Sequence, residues 1–126
     1  MKDKFSLFKK AFEKLLLSLD SEEIDEFRRD SVVKRFEFTF ELCWKTLKLY
    51  LEESGLGIFN TPRDVFKESF RAGILNDGDV FLAMINDRNL TVHMYDEGIA
   101  AEIFKHVEDS YVKSFADLVQ ILESKM

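Results

Sequence analysis

The stretch VKRFEFTFELCWKTLKLY, Val33 to Tyr50, decides the fold. Val33, Phe36, Phe40, Cys43, Leu47 and Tyr50 recur at steps of 3, 4, 3, 4 and 3, the spacing of one helix side packed into a bundle. Phe38, Leu42, Trp44 and Leu49 lie off that seam. The apolar surface is therefore wider than one stripe, and such a helix needs more than one neighbour. In a chain of this size a second subunit can supply one, so a self-association surface is expected. The helix should run from about Glu22 to Glu53, with Gly55 placed to stop it.

Upstream, Phe5, Phe8, Phe12, Leu15, Leu16 and Leu19 mark an amphipathic helix over Lys2 to Leu19. Asp20 followed three residues later by Glu23 resembles a capping box that restarts the helical pattern. Downstream, Gly55 to Asn60 reads as a loop. Thr61 as N-cap, Pro62 at the first helical position and Asp64 at the third open a short helix. It carries Val65, Phe66 and Phe70 and ends near Gly73. Asp77 caps a fourth helix with Val80, Phe81, Met84 and Ile85. The last begins near Asp96, and Phe104, Val107, Tyr111, Phe115, Leu118 and Leu122 step by 3, 4, 4, 3 and 4. The predicted fold is all-α: one domain over 1–126, an antiparallel up-and-down four-helix bundle with one extra short helix.

Composition agrees. The 126 residues, 46% hydrophobic and 33% charged, suit one folded domain, and one proline with five glycines is too few turn residues for a sandwich or barrel. Apolar runs such as Leu15 to Leu17 are far too short to span a bilayer. The opening MKDKFSLFKKAFEK carries charges where a signal peptide needs an apolar core, so a cytoplasmic protein without membrane association is expected. The single cysteine, Cys43, allows no intramolecular disulfide and no thiolate zinc cage; in the seam it acts as a small hydrophobe. A net charge of −6 argues against a broad grip on duplex nucleic acid, while leaving room for a local phosphate site.

The chemistry concentrates in Asp87 to Glu97, DRNLTVHMYDE, where Arg88, Asn89, Thr91, His93 and Tyr95 fall within eight residues. On an ideal helix Arg88 and Tyr95 share a stripe, whereas His93 lies about 140° from Arg88. The pair can cooperate if the helix breaks near His93, or if a second subunit completes the site. The residue types suit phosphodiester cleavage without a metal. Histidine is the side-chain type suited to proton transfer near neutral pH, so His93 can move a proton on or off a ribose or leaving oxygen. Arg88 holds phosphate oxygens through a fork of donors. Asn89, Asp87 and Thr91 are candidate supporting residues. The competing structural reading pairs Arg88 with Asp87 or Glu97 and makes His93 a helix cap.

Arginine, four residues, histidine, one residue, tyrosine (Arg88, His93, Tyr95) resembles the motif of HepT-like proteins in the HEPN superfamily of helical-bundle ribonucleases. Asn89, polar and directly after the arginine, fits it too. The block Arg35 to Lys45, RFEFTFELCWK, looks like the core signature of the nucleotidyltransferase substrate-binding family, a branch of that superfamily. Pro62 to Lys67 with Phe70 to Gly73 falls where that family has its short helix. The resemblance implies a HEPN-like bundle that forms a homodimer and pairs with a separate minimal nucleotidyltransferase. In toxin–antitoxin members it implies that the bundle is the toxin, a metal-independent endoribonuclease acting on RNA through Arg88 and His93 without a cofactor. The nucleotidyltransferase is then the antitoxin and attaches AMP to Tyr95. The chain lacks the glycine–serine turn and paired aspartates of the transferase itself, so it corresponds to the partner. The alternative is a non-catalytic subunit that binds substrate or nucleotide for the transferase.

Other candidates read as structural. Glu37 and Glu41 lie one turn apart without a Glu-x-x-His partner, and Glu41 with Lys45 makes an ordinary helix ion pair. His106 is expected to be structural or exposed. Asn76 to Asp79 lacks the ladder and closing glutamate of a calcium loop. Arg28-Arg29 and Lys34-Arg35 read as solvated faces.

Overall fold

Several helix ends are set where the capping residues predict. The structure, a computed structural model describing residues 1–126, contains α1 (Lys2–Leu19), α2 (Asp25–Glu53), α3 (Pro62–Arg71) and α4 (Gly78–Leu90). A 3-10 turn (Thr91–His93) follows, then α5 (Glu97–His106), a π turn (Val107–Tyr111) and α6 (Val112–Ser124), which run on without a break. α1, α2, α4 and the α5–α6 rod are the four bundle helices, and α3 is the extra short one. α2 and α3 both stop in a Schellman turn. Gly55 (φ +73°) and Gly73 (φ +81°) take the left-handed conformation, while Leu56 N–H bonds the Leu51 carbonyl and Ile74 N–H the Ser69 carbonyl, each at 2.9 Å. Thr61 and Asp77 cap α3 and α4 by accepting from Asp64 N–H and Val80 N–H. Asp77 is thus a helix cap.

Some local expectations shift. α2 starts at Asp25 behind Ile24, without a side-chain cap. The turn before it is held by Ser21, whose Oγ accepts from Glu23 N–H at 3.1 Å; Asp20 instead ends α1. Leu16 and Phe70 face solvent, and Ser18 and Ser69 take the inward positions. In the short α3 a rotation of about 100°, one residue, suffices to exchange Phe70 for Ser69, and neighbouring helices decide it.

Aromatic rings tie the bundle together. Phe115 of α6 packs against Phe8 and Phe12 of α1, Phe36 of α2 and Phe81 of α4, with centroids 5.9 to 6.4 Å apart. Phe66 of α3 joins through Phe40 at 5.8 Å and Phe81 at 5.3 Å. Such pairs contribute roughly 0.5–1.5 kcal/mol each beyond area burial. α2 packs on α1, α3, α4 and α5; of the residues off its seam, Leu42 and Trp44 pack against the core while Phe38 stays exposed. No helix is long and apolar enough to cross a membrane.

Candidate active site at the end of α4

The segment that carries the motif is an elbow. α4 ends at Leu90, where Thr91 Oγ1 donates to the Arg88 carbonyl at 2.7 Å and so satisfies one of the helix's terminal acceptors. The chain tightens through the 3-10 turn, with Met94 N–H on the Thr91 carbonyl at 3.1 Å and Asp96 N–H on that of His93 at 2.9 Å. Asp96 then caps α5, its Oδ1 accepting from Gly98 N–H at 2.9 Å and Ile99 N–H at 3.2 Å. Two successive helix ends therefore bracket His93 and Tyr95 and hold both at the surface.

Arg88 is positioned from another helix. Its Nε donates to Glu41 Oε1 of α2 at 3.2 Å, and Glu41 Oε2 accepts from Trp44 Nε1 at 3.2 Å, with Lys45 Nζ at 3.8 Å. The expected Glu41–Lys45 pair exists, but it belongs to this larger arrangement. Arg88 and Glu41 are both part-exposed. Glu41 engages only Nε, so the two terminal amino groups of the part-exposed guanidinium carry no hydrogen bond within the chain and remain free to donate to an oxyanion. Arg88 pairs with neither Asp87 nor Glu97.

His93 Nδ1 lies 3.1 Å from the Tyr95 hydroxyl, with ring centroids 5.9 Å apart. Tyr95 is 80% exposed. The ideal-helix expectation that Tyr95 shares a stripe with Arg88 fails because α4 ends at Leu90; beyond it Tyr95 joins His93. The hydroxyl can donate to or accept from Nδ1, so Nε2 is left to act on a substrate proton in either direction. No hydrogen bond joins Arg88 to His93. Asn89 is exposed and makes no side-chain hydrogen bond.

Asp87 points inward and is only 4% exposed. Its Oδ2 accepts from Tyr111 Oη at 2.6 Å and from His106 Nδ1 at 2.7 Å. Tyr111 sits in the π turn, whose extra residue turns its hydroxyl toward α4 while its ring stacks on Phe36 at 5.3 Å. Burial, then the hydrogen bond to Asp87 and the charge of that carboxylate, push the Tyr111 phenol well above its usual range. Asp87 thus fastens the last turn of α4 to the α5–α6 rod and fixes where Arg88 begins. His106 is structural, as expected, but through this contact. A carboxylate three residues after Met84 on the buried side of α4 was the available signal for a buried partner. Burial pushes the Cys43 thiol up as well, as suits an inert core cysteine. The chain gathers no group of three or more His, Cys, Asp or Glu side chains able to hold a metal ion.

Residues 3–124 match the family described as nucleotidyltransferase substrate binding protein like. The chain belongs to that family. It is 27% identical over 93 residues to the Probable ribonuclease HepT of Haemophilus influenzae, a match covering 71% of this chain and 64% of that protein. The matched stretch is thus just under two thirds of that relative's length. A crystal structure of a Thermus thermophilus protein superposes with TM-score 0.82 and 33% identity, covering 90% of this chain and 96% of the other. The tri-AMPylated HEPN toxin of Shewanella oneidensis, solved in complex with its MNT antitoxin, superposes with TM-score 0.77 at 20% identity over 97% and 95% of the two chains. At that identity the last similarity establishes a shared fold. The nucleotidyltransferase substrate-binding fold read from the sequence is therefore the fold of this chain.

Proposed function

We propose that this protein is the toxin of a toxin–antitoxin pair, a metal-independent endoribonuclease that works as a cytoplasmic homodimer and is restrained by a separate minimal nucleotidyltransferase. The observation that carries the reading is the Arg88 fork, steered by Glu41 through Nε and open at both terminal amino groups. Beside it in the chain, His93 is exposed and ready to move protons. In cleavage the ribose 2′-oxygen attacks the adjacent phosphorus and loses its proton. The bond to the 5′-oxygen breaks, that oxygen gains a proton, and a 2′,3′-cyclic phosphate remains. His93 Nε2 handles one of these protons, and Arg88 meets the charge that builds on the phosphoryl oxygens. The curated relative's name, Probable ribonuclease HepT, supports the reaction class.

The Shewanella oneidensis toxin is AMPylated; here the acceptor is Tyr95, the most exposed large side chain of the elbow. Transfer from ATP joins the Tyr95 oxygen to the α-phosphorus, releasing pyrophosphate and the phenol proton. The new anion then stands where the hydroxyl met His93, so the block falls directly on the proton-moving group. The lack of a hydrogen bond between Arg88 and His93 within one chain favours one second reading, a nucleotide-binding subunit of the transferase.

The test is cleavage of total RNA in EDTA by wild type, Arg88→Ala and His93→Ala, with circular dichroism as the folding control. Cutting by the wild type alone is expected. Cleavage that survives His93→Ala removes the mechanism, and no cleavage by any folded, unmodified sample gives the second reading the lead.

A further inference from the structure

On the flank of α2 away from α3 and α4, α1 and α2 enclose an open groove of about 350 Å³. Its basic side is Lys10, Lys14 and Arg35; its apolar side is Leu7, Phe38 and Leu42; no acidic residue lines it. In a chain of net charge −6 this is a local reversal of sign. None of the three cations has a carboxylate within ion-pair distance, whereas the neighbouring Lys34 and Lys45 are engaged by Glu37 at 3.7 Å and Glu41 at 3.8 Å. Phe38 is 43% exposed, with the charged ends of Lys34 and Arg35 at 5.6 and 5.9 Å from its ring centroid. It presents an aromatic surface framed by cations.

Helix geometry connects the groove to the site. At about 100° per residue, Phe38, Leu42 and Arg35 follow Glu41 around α2 by roughly 60°, 100° and 120°. The groove therefore opens where the face that holds Arg88 through Glu41 leaves off. Lys10 and Lys14 stand one turn apart on α1, about 6 Å along its axis, a spacing that neighbouring phosphates of one strand can meet.

We propose that this groove is a binding track for single-stranded RNA, with Lys10, Lys14 and Arg35 on the phosphates and Phe38 stacking a base, leading the strand around α2 toward Arg88. Cations beside an exposed aromatic are what single-strand binding uses, because every base has a face to stack and every nucleotide a phosphate. A second copy of the chain suits the groove poorly: a two-fold contact through it would set the same basic rim against itself. The proposal names the substrate path for the ribonuclease reading and rests on it.

The experiment is fluorescence anisotropy of a labelled twelve-nucleotide oligouridylate in the His93→Ala background, which prevents turnover and keeps Arg88. Lys10→Gln/Lys14→Gln should weaken binding at least fivefold and lower the slope of log affinity against log salt by about 1.4, the contribution of two single-strand phosphate contacts. Phe38→Ala should weaken binding severalfold with the slope unchanged. Lys113→Gln/Lys125→Gln, on α6 and just past its end, makes the same change in net charge and should have little effect. Equal weakening by both lysine pairs, or none by the first, overturns the track. So does a first pair that spares RNA affinity but breaks assembly with the nucleotidyltransferase, which makes the groove a protein dock. Failure of the ribonuclease reading is seen separately, as wild-type protein that binds this RNA through the groove and does not cut it.

Discussion

Replacing Asp87 by alanine should unfold the end of α4 from the rod and cost about 3–4 kcal/mol. Oδ2 accepts two hydrogen bonds, from Tyr111 at 2.6 Å and His106 at 2.7 Å, and bonds to a charged acceptor contribute about 1.5–3 kcal/mol. The Tyr111 bond counts almost in full, because that hydroxyl is buried and stays orphaned when the carboxylate goes. The His106 bond counts less, since its ring is part-exposed and water replaces the acceptor. With about 2.1 cal/mol/K of unfolding entropy per residue over 126 residues, each kcal/mol moves Tm by about 4 °C, so a drop of about 12–15 °C is expected. Calorimetry and urea denaturation measure it. Tyr111→Phe alone should cost about 1–2 kcal/mol, and Asp87→Ala/Tyr111→Phe should cost less than the two singles together by about 1 kcal/mol or more, because the double variant leaves no buried hydroxyl unpaired. An Asp87→Ala loss below about 1 kcal/mol, or strict additivity, refutes this account of how α4 is fastened.

The raised Tyr111 phenol makes stability fall with alkali. Above about pH 10 the unfolded chain releases that proton and the folded chain keeps it, so wild type should lose about 1.4 kcal/mol by pH 11 that Tyr111→Phe does not lose, as read by urea titrations at pH 9 and 11. Glu41→Gln, by loosening Arg88, should lower kcat for RNA cleavage about tenfold without raising KM, since it also removes a negative charge beside the substrate phosphate; an unchanged kcat counts against the steering role. Gly73→Ala should cost about 1–2 kcal/mol in urea denaturation through backbone strain alone, because a Cβ there meets nothing within 4 Å. Tyr95→Phe should stay unmodified in intact-mass spectra after co-expression with the nucleotidyltransferase, while wild type gains one AMP or more; AMP on the variant moves the acceptor elsewhere.

Periodicity and capping residues made the helices legible in the chain itself. A seam such as Val33, Phe36, Phe40, Cys43 and Leu47 buries one side of a helix whatever its neighbours, and all five are buried. Thr61, Pro62, Asp77 and Asp96, with Gly55 and Gly73, set helix ends through bonds made within a few residues. Arg88, His93 and Tyr95 stood out for the same reason, as reactive types close together in sequence. Which of them touch was another matter. Local geometry stops at the end of α4, so the Arg88–Tyr95 stripe dissolved into a His93–Tyr95 pair across the elbow. The partner of Arg88 lies 47 residues away at Glu41, and Asp87 meets Tyr111 24 residues on. Such contacts depend on how far each helix is rotated and slid against the next. Those two coordinates leave the hydrophobic period unchanged, and only the packing of the phenylalanine core sets them.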